Sequence, residues 1–466
     1  MKILNELLKE VSVLSSHGNV NVSVSSVSLN SKLIEQNSLF VALVGTVVDG
    51  HNFINEVIGK GAKVIIHQNN IEDFQKGITY IKVADTHKVV GVIAGNFYDN
   101  PSRKLKLIGV TGTNGKTTIV TLLHQLFLEL GHKAGMIGTV TNKINDELFE
   151  TERTTPDSVT LNKLLSDMVR ASCEYSFMEV SSHSVCEKRI SGLFFEGGIF
   201  TNLTLDHLDY HKTLEKYRIA KQGFFECLPS SAFSLTNIDD PNGLIITKTT
   251  KAKKHTYGFK NPADFSERLE MKLLGEFNAY NVLAIYSTAI LLNQDKEKVK
   301  EIIKTLDPVP GRFEYIKSEN GIIGIVDYAH TPDALENVLK TASNMKGKGK
   351  LISVVGCGGD RDRSKRPLMA RLGYDLSDIL ILTSDNPRTE KPEDILDEMK
   401  KGIENLPFEN KVQIIVDRYE AIEKACSLLE KDDIILIAGK GHETYQEVNG
   451  IKTHFDDMEE LKKYLK

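Results

Sequence analysis

At roughly 150 residues per domain, 466 residues make about three domains, each long enough to bury its own core. Hydrophobic residues at 41% and charged residues at 26% exclude a disordered or fibrous chain. A net charge of −5 with interspersed signs excludes the basic stripe that neutralises nucleic-acid phosphates, so nucleic acid is not an expected partner.

The first residues, with Ile3, Leu4, Leu7, Leu8 and Val11 at helical spacing, predict an amphipathic first helix. Glu6 and Glu10 interrupt the apolar run a signal peptide needs. No segment approaches the roughly 18 apolar residues of a membrane span, so no membrane partner is expected. The five cysteines (Cys173, Cys186, Cys227, Cys357, Cys426) are odd in number and never spaced as CxxC, which argues against a disulfide framework or zinc site and fits a reducing cytoplasm.

Short apolar runs at 38–45, 62–68 and 78–84 predict strands of a small α/β domain covering residues 1–98. The turn signal DNPSRK at 99–104 precedes the apolar strand LKLIGV, which opens a second domain, 99–309. Its strand-like runs, among them YSFMEV (175–180) and GGIFTNL (197–203), alternate with helical stretches, as in a mainly parallel sheet with crossover helices. Two prolines and a glycine in LDPVPGRFEYI mark the next boundary, near 309. Beyond it GIIGIVDYA, LISVVGC, DILILTSD, KVQIIVD and DIILIAGKG predict a doubly wound, Rossmann-like α/β domain, 310–466. Ligands of such sheets sit at the carboxyl ends of the strands, where Asp327, Asp385 and Gly439 fall.

The sharpest local signal is LIGVTGTNGKTT, an apolar strand running into Gly112, Thr113, Asn114, Gly115, Lys116, Thr117 and Thr118 and then a helix. Backbone amides of such a loop face a polyphosphate, the helix N-terminus adds a favourable dipole, Lys116 supplies a point charge, and the Thr117 hydroxyl can ligate Mg²⁺. The standard spacing wants glycine where this chain has Val110, with Gly109 and Gly112 on either side. A tight turn with fortuitous Lys-Thr-Thr is the bland alternative, outweighed by strand, glycines, lysine, threonine pair and helix in one frame. A bound nucleotide is expected.

Glu179 at the end of FMEV, and Asp206, His207, Asp209 and His211 in TNLTLDHLDYH, are acids and imidazoles of the kind that coordinate Mg²⁺. The phosphate loop favours ligation for Glu179 and His207, whereas Asp209 and His211 taken alone read as a buried, satisfied polar cluster. Lys221 in YRIAKQGFF reads by itself as a helix-face charge.

Taken together, GTNGKTT, MEVSSHS, TNLTLDHLDYH, LLGEFNAYN, PGRFE, DYAHTPDAL, GCGGDRDRSKRP, DNPRTEKP and AGKGHE resemble the motifs of the Mur ligases, in family order from residue 109 to 443. The stretch from SLNSKLIEQNSLFVALVG to DGHNFI resembles the family's UDP-binding domain. The resemblance implies a small UDP-binding domain, a central P-loop-type ATPase domain and a C-terminal amino-acid-binding domain. It implies a chemical order as well: ATP phosphorylates the D-glutamyl carboxylate of UDP-N-acetylmuramoyl-L-alanyl-D-glutamate, and an amino acid's amine attacks the acyl phosphate, a step in peptidoglycan precursor synthesis.

The resemblance also assigns residues. Lys116, Glu179, His207 and Lys221 are implied to be catalytic, with Lys221 carbamylated so that it supports Mg²⁺ alongside Thr117, Glu179 and His207. Asn278, Arg312 and Asp327 are implied to contact the nucleotide, where an amide, a guanidinium and a ribose-binding carboxylate are sensible chemistry. Taken alone, Asn278 could cap a helix and Asp327 a turn. Thr154, Thr155, Ser182, Glu187 and Arg189 are implied to hold the muramoyl peptide; the family often has Gln where this chain has Glu187. Leu29, Ser31, Thr46, Val47 and Val48 are implied to hold the uridine diphosphate. A cytoplasmic monomer is expected.

DNPR, comprising Asp385, Asn386, Pro387 and Arg388, bears on the incoming amino acid. Arginine holds a carboxylate in a bidentate fork, so Arg388 suits a diamino acid whose far end carries both amine and carboxylate. Meso-2,6-diaminopimelate has that end, lanthionine shares it, and L-lysine brings a bare ammonium towards a guanidinium. Arg366, Asn386, Gly439 and Glu443 match the family's other contacts to the amino acid. Alone, Arg388 reads as a loop salt bridge. A folylpolyglutamate-synthase-like ligase would share the phosphate loop but lack DNPR and the UDP-type first domain, and a non-catalytic nucleotide-binding module would bind ATP without acyl transfer.

Overall fold

Three runs of β-branched and aliphatic residues, Leu39–Val41, Val64–His67 and Thr79–Val83, pair side by side in parallel and begin the first of three larger sheets. The computed structural model describes residues 1–45, 48–151 and 153–465. In the first sheet the strand order is Val13–His17, Thr79–Val83, Val64–His67, Leu39–Val41, Val27–Ser28, and only the Val13–His17 edge runs antiparallel. The expected first helix is shorter than its periodicity suggested. Leu4–Leu7 makes one turn with both leucines buried, Lys2–Ile3 pairs with Ser23–Val24, and Glu10 takes a left-handed φ of 63° that turns the chain away.

The second sheet has the order Glu147–Phe149, Asn142–Ile144, Ala134–Ile137, Tyr175–Glu179, Lys106–Thr111, Gly197–Phe200, Phe233–Asn237, Lys253–Tyr257. Its strands from Ala134–Ile137 onwards are parallel, with an antiparallel pair added at one edge. The phosphate-loop strand therefore lies inside the sheet, flanked by Tyr175–Glu179 and Gly197–Phe200.

The third sheet has the order Glu314–Lys317, Ile323–Asp327, Ile434–Ala438, Leu351–Cys357, Ile379–Ser384, Val412–Ile414, parallel except for the first strand. Its strands are apolar on both sides because helices cover both faces. Leu351, Val355 and Leu436 join one core with Leu335, Leu339 and Met369, whereas Ile352, Val354 and Ile437 join another with Ala421, Ile422 and Leu461. Of the KVQIIVD run only Val412–Ile414 forms a strand, on the sheet edge.

The chain divides into two compact units. One comprises Met1–Gly112, Leu123–Phe200 and Ile219–Tyr257; the other comprises Thr113–Leu122, Thr201–Arg218 and Gly258–Lys466. Among the described residues no helix is long and apolar enough to cross a membrane.

Candidate active site

The loop after Lys106–Thr111 turns on two glycines with positive φ, Gly112 at 153° and Gly115 at 89°. A Cβ on Gly115 would lie 2.5 Å from Asn281 Oδ1, so the loop backbone comes in against the helix Glu276–Leu291. The loop is also tied to the exit of a neighbouring strand. Thr113 N donates to Asn202 O at 2.8 Å, Asn114 N to Asn202 Oδ1 at 2.9 Å, and Thr201 Oγ1 to Asn114 O at 2.7 Å. Lys116 Nζ donates to Thr113 O at 2.8 Å, folding its ammonium back over the loop at the start of the helix Lys116–Glu129. Thr117 and Thr118 are buried in the first turn. Gly109 serves strand packing instead, since a Cβ there would meet Phe224 Cζ at 2.5 Å and Val180 Cγ2 at 2.9 Å.

Within the same unit as Thr117, Arg312 Nη2 donates to the Thr117 hydroxyl at 3.2 Å, and its guanidinium lies 4.5 Å from the Tyr328 ring centroid. Asp327, the last residue of its strand, accepts from Phe313 N at 2.6 Å. Burial, opposed by Arg312 and by the amides of Phe313 and Ala329, pushes its pKa up to about 6. Asn278 Nδ2 donates to Leu274 O and its Oδ1 accepts from Asn281 Nδ2, so the amide that read as a possible cap is held between Leu274, just ahead of the helix, and Asn281 within it. Asn114 Nδ2 donates to Asp333 Oδ2 at 2.8 Å, a contact the local pattern did not signal.

His207 has a left-handed φ of 54° and sits against Asp206, 3.3 Å from Nε2 to Oδ2. Burial works against ionisation of Asp206, yet His207, His330 and Lys365 together hold its pKa below the ordinary carboxylate value. His211 is buried against the Tyr217 ring, whereas Asp209 is exposed and so does not form the buried polar cluster its residue type suggested.

In the other unit Glu179, at the end of its strand and 1% exposed, accepts from Thr139 N at 2.9 Å and from Thr139 Oγ1 at 3.1 Å. Thr154 Oγ1 lies 3.1 Å from the same Thr139 hydroxyl, and Thr155 Oγ1 donates to the Glu179 carbonyl at 2.7 Å. Arg189 donates to the Thr155 carbonyl and, through Nε and Nη2, to Glu187 Oε2. The structure thus joins Thr154, Thr155, Glu179, Glu187 and Arg189 in one hydrogen-bonded cluster, with Ser182 buried at the start of the short helix Ser182–Cys186. Lys221 is 1% exposed and donates to the Gly112 carbonyl at 2.7 Å, which corrects its reading as a helix-face charge. Leu29 and Ser31 flank Asn30, which caps the turn Ser31–Leu33, and Val48 is exposed. Thr46 and Val47 lie outside the described residues.

At the carboxyl edge of the third sheet, Asp385 and Gly439 follow the ends of the two strands that flank Leu351–Cys357. A Cβ on Gly439, whose φ is 119°, would lie 2.4 Å from Asp385 Oδ2, so only glycine leaves room for that carboxylate. Asn386 Nδ2 donates to Glu443 Oε2 at 2.7 Å. Burial and Asp385 raise the Glu443 pKa against the pull of Lys440. Arg388 follows Pro387, takes a left-handed φ of 54°, donates to the Gly359 carbonyl at 2.8 Å and lies 3.8 Å from Glu447. Arg366 is wholly buried, its fork occupied by Glu390 and Glu398.

Two buried cations of this region escape a reading of the sequence, because each looks locally like a solvated charge. Lys440 donates to Asn386 Oδ1 at 3.0 Å. Arg418 forms a bidentate pair with Asp457 at 2.8 and 2.7 Å and donates to the carbonyls of Ser384 and Ala438, the last residues of the same two flanking strands.

Among the described residues no three His, Cys, Asp or Glu side chains gather as a metal centre. Taken singly, the hydroxyl of Thr117, the carboxylate of Glu179 and the imidazole of His207 are donors of a kind that Mg²⁺ accepts, an ion that completes its shell with phosphate and water.

Family models match in sequence: the Mur ligase family catalytic domain over residues 23–98, the Mur ligase middle domain over 110–289, and the Mur ligase glutamate ligase domain over 311–441. The chain is 50% identical to UDP-N-acetylmuramoyl-L-alanyl-D-glutamate--2,6-diaminopimelate ligase of Phocaeicola vulgatus, covering 98% of each chain. It is 43% identical to the protein of that name in Clostridium tetani, covering 99% of each. A solved structure under the same name superposes with a TM-score of 0.72 at 32% identity, covering 100% of this chain and 98% of that one. Folylpolyglutamate synthase of Mycobacterium tuberculosis, solved with ADP and AMPPCP, shares the fold at a TM-score of 0.59 and 16% identity, over 74% of this chain and 91% of its own.

Proposed function

The chain belongs to the Mur ligase family, and from that premise we propose that it joins meso-2,6-diaminopimelate to UDP-N-acetylmuramoyl-L-alanyl-D-glutamate at the expense of ATP. It is an ATP-dependent acid–amino-acid ligase of peptidoglycan precursor synthesis. The observation that carries the choice of amino acid is the wall at the third sheet's carboxyl edge, where the Arg388 cation stands in the same segment as the Asp385 carboxylate and Asn386 binds Glu443. A far end carrying one carboxylate and one ammonium matches such a wall better than the bare ammonium of L-lysine. Lanthionine offers the same end.

In this reading the amides of 112–115, Lys116 and Arg312 hold the triphosphate, Asp327 takes the ribose and Asn278 lies on the adenine side. Thr154, Thr155, Ser182, Glu187 and Arg189 hold the muramoyl peptide, and Leu29, Ser31 and the 46–48 stretch its uridine diphosphate. Arg366, Asn386, Pro387, Arg388, Gly439 and Glu443 line the amino-acid site, with Arg366 acting through Glu390 and Glu398. The D-glutamyl carboxylate attacks the γ-phosphorus and ADP leaves. The incoming amine then attacks the acyl carbon and inorganic phosphate leaves, with the amine's proton released. No side-chain nucleophile is required.

Mg²⁺ would be held by Thr117, Glu179, His207 and a carbamate on Lys221, and would neutralise charge on the phosphates. The position of Lys221, buried with Nζ 2.7 Å from the Gly112 carbonyl of the phosphate loop, supports this role. Domain boundaries near 98 and 309 are supported by the sheets, each of which is confined to one of the three segments. The same reading makes the protein a cytoplasmic monomer, which light scattering checks.

The test is incubation with ATP, Mg²⁺, the UDP-muramoyl dipeptide and, separately, diaminopimelate, lanthionine or L-lysine. A tripeptide product formed with stoichiometric ADP and phosphate, fastest with diaminopimelate, is expected. ADP release without amide, or a preference for L-lysine, overturns the proposal.

A further inference from the structure

Lys440 is wholly buried among the charges of the amino-acid wall. Its Nζ donates to Asn386 Oδ1 at 3.0 Å, to Glu443 Oε2 at 3.3 Å and to the Tyr445 carbonyl. Three acceptors occupy all three ammonium protons, so Lys440 has none to offer a ligand. Its effect passes through its partners. Asn386 Oδ1 also accepts from Glu447 N at 2.9 Å, and Nδ2 donates to Glu443 Oε2 at 2.7 Å. Both lone pairs of that amide oxygen are taken, which fixes the amide's orientation. Glu443 Oε2 carries two donors, leaving Oε1 as the acceptor with no protein donor among the described residues.

Charge points the same way. Asp385 is buried, Glu443 is partly buried, and the two are close enough to repel. One lysine beside two acids leaves a single negative charge, which one ammonium balances, while Arg388 serves a carboxylate.

We propose that Lys440 is a positioning residue for amino-acid selection: it orients Asn386 and Glu443 and cancels one of the two negative charges there, so that the wall accepts an end bearing one ammonium and one carboxylate. The inference rests on the functional reading above and goes beyond it in naming what sets the specificity.

The experiment compares the full-length wild type with Lys440→Met and Lys440→Arg. Met removes the charge; Arg keeps it but cannot repeat the three bonds. KM for diaminopimelate is expected to rise about ten- to hundredfold in both, the worth of a charged hydrogen-bond set, while KM for ATP and for the UDP-muramoyl dipeptide stays within about twofold. In Lys440→Met, which leaves two acids uncompensated, use of L-lysine relative to diaminopimelate should increase. Unchanged KM for diaminopimelate overturns the inference. So does a parallel loss on all three substrates, or failure of both variants to fold, because each makes Lys440 a structural residue only. Wild-type enzyme that fails to ligate diaminopimelate sinks the functional reading itself, a result separate from any of these.

Discussion

Arg312 donates to the hydroxyl of Thr117 at 3.2 Å across 195 residues of sequence, so a guanidinium from the start of the third predicted domain reaches the first turn of the phosphate-loop helix. An arginine stacked on Tyr328 and held there is already oriented for an incoming phosphate, and little rotamer entropy remains to be lost on binding. Arg312→Ala should weaken ATP binding about ten- to hundredfold, the range of one charge-assisted hydrogen bond, and Arg312→Lys should recover only part of it. Titration calorimetry with ADP and with a non-hydrolysable ATP analogue measures this. If the two nucleotides lose affinity equally, Arg312 does not face the terminal phosphate.

Asp327 supplies a pH dependence whose sign differs between folding and binding. Burial raises its folded pKa from 3.8 to about 6, so the folded state takes up a proton. That contribution to stability is complete below 3.8 and is lost as pH rises through about 6. Under the proposed ribose contact nucleotide binding has the opposite dependence, because ribose hydroxyls would donate to the ionised carboxylate. The ratio of ADP affinity in wild type to that in Asp327→Asn should fall as pH drops through about 6, approaching tenfold per pH unit below it. A ratio that stays level from about pH 5 to about pH 8 removes Asp327 from the ribose site.

Gly439→Ala meets two obstacles: a φ of 119°, and a methyl 2.4 Å from Asp385 Oδ2. The strain is of order 1–3 kcal/mol, and it displaces a carboxylate of the amino-acid wall. A modest drop in melting temperature should accompany a larger rise in KM for diaminopimelate than for ATP. A stable variant with unaltered KM for the amino acid would show that the Asp385 position is irrelevant to it.

Arg418 and Asp457 are both wholly buried, and the pair ties the carbonyls of Ser384 and Ala438 together. Asp457→Ala leaves a buried cation unpaired and should cost about 3–5 kcal/mol, whereas a double replacement by apolar residues of similar volume should recover much of it. Thermal melts of single and double variants test this; equal losses in both would mean that the charge pairing is not the source of the stability.

What could be read from the chain alone was local or periodic. Apolar runs marked strands in each of the three large sheets, though not edge strands such as Val13–His17 and Lys253–Tyr257, and the Gly112 to Thr118 loop announced itself because its backbone amides, lysine and helix start are contiguous. The DNPR motif likewise pointed to the carboxyl edge of the third sheet, since strand ends are visible as the limits of apolar runs. Tertiary structure alone decided which charges are buried and what they face. Lys221, Lys440 and Arg418 look like ordinary surface cations in sequence, and nothing local shows that Gly109 leaves room for Phe224. The single-turn first helix belongs with these, because pairing of Lys2–Ile3 with Ser23–Val24 overrode its helical spacing. Burial and pairing depend on partners tens or hundreds of residues away, and a neighbouring-residue pattern carries no record of which distant group fills the space around a side chain.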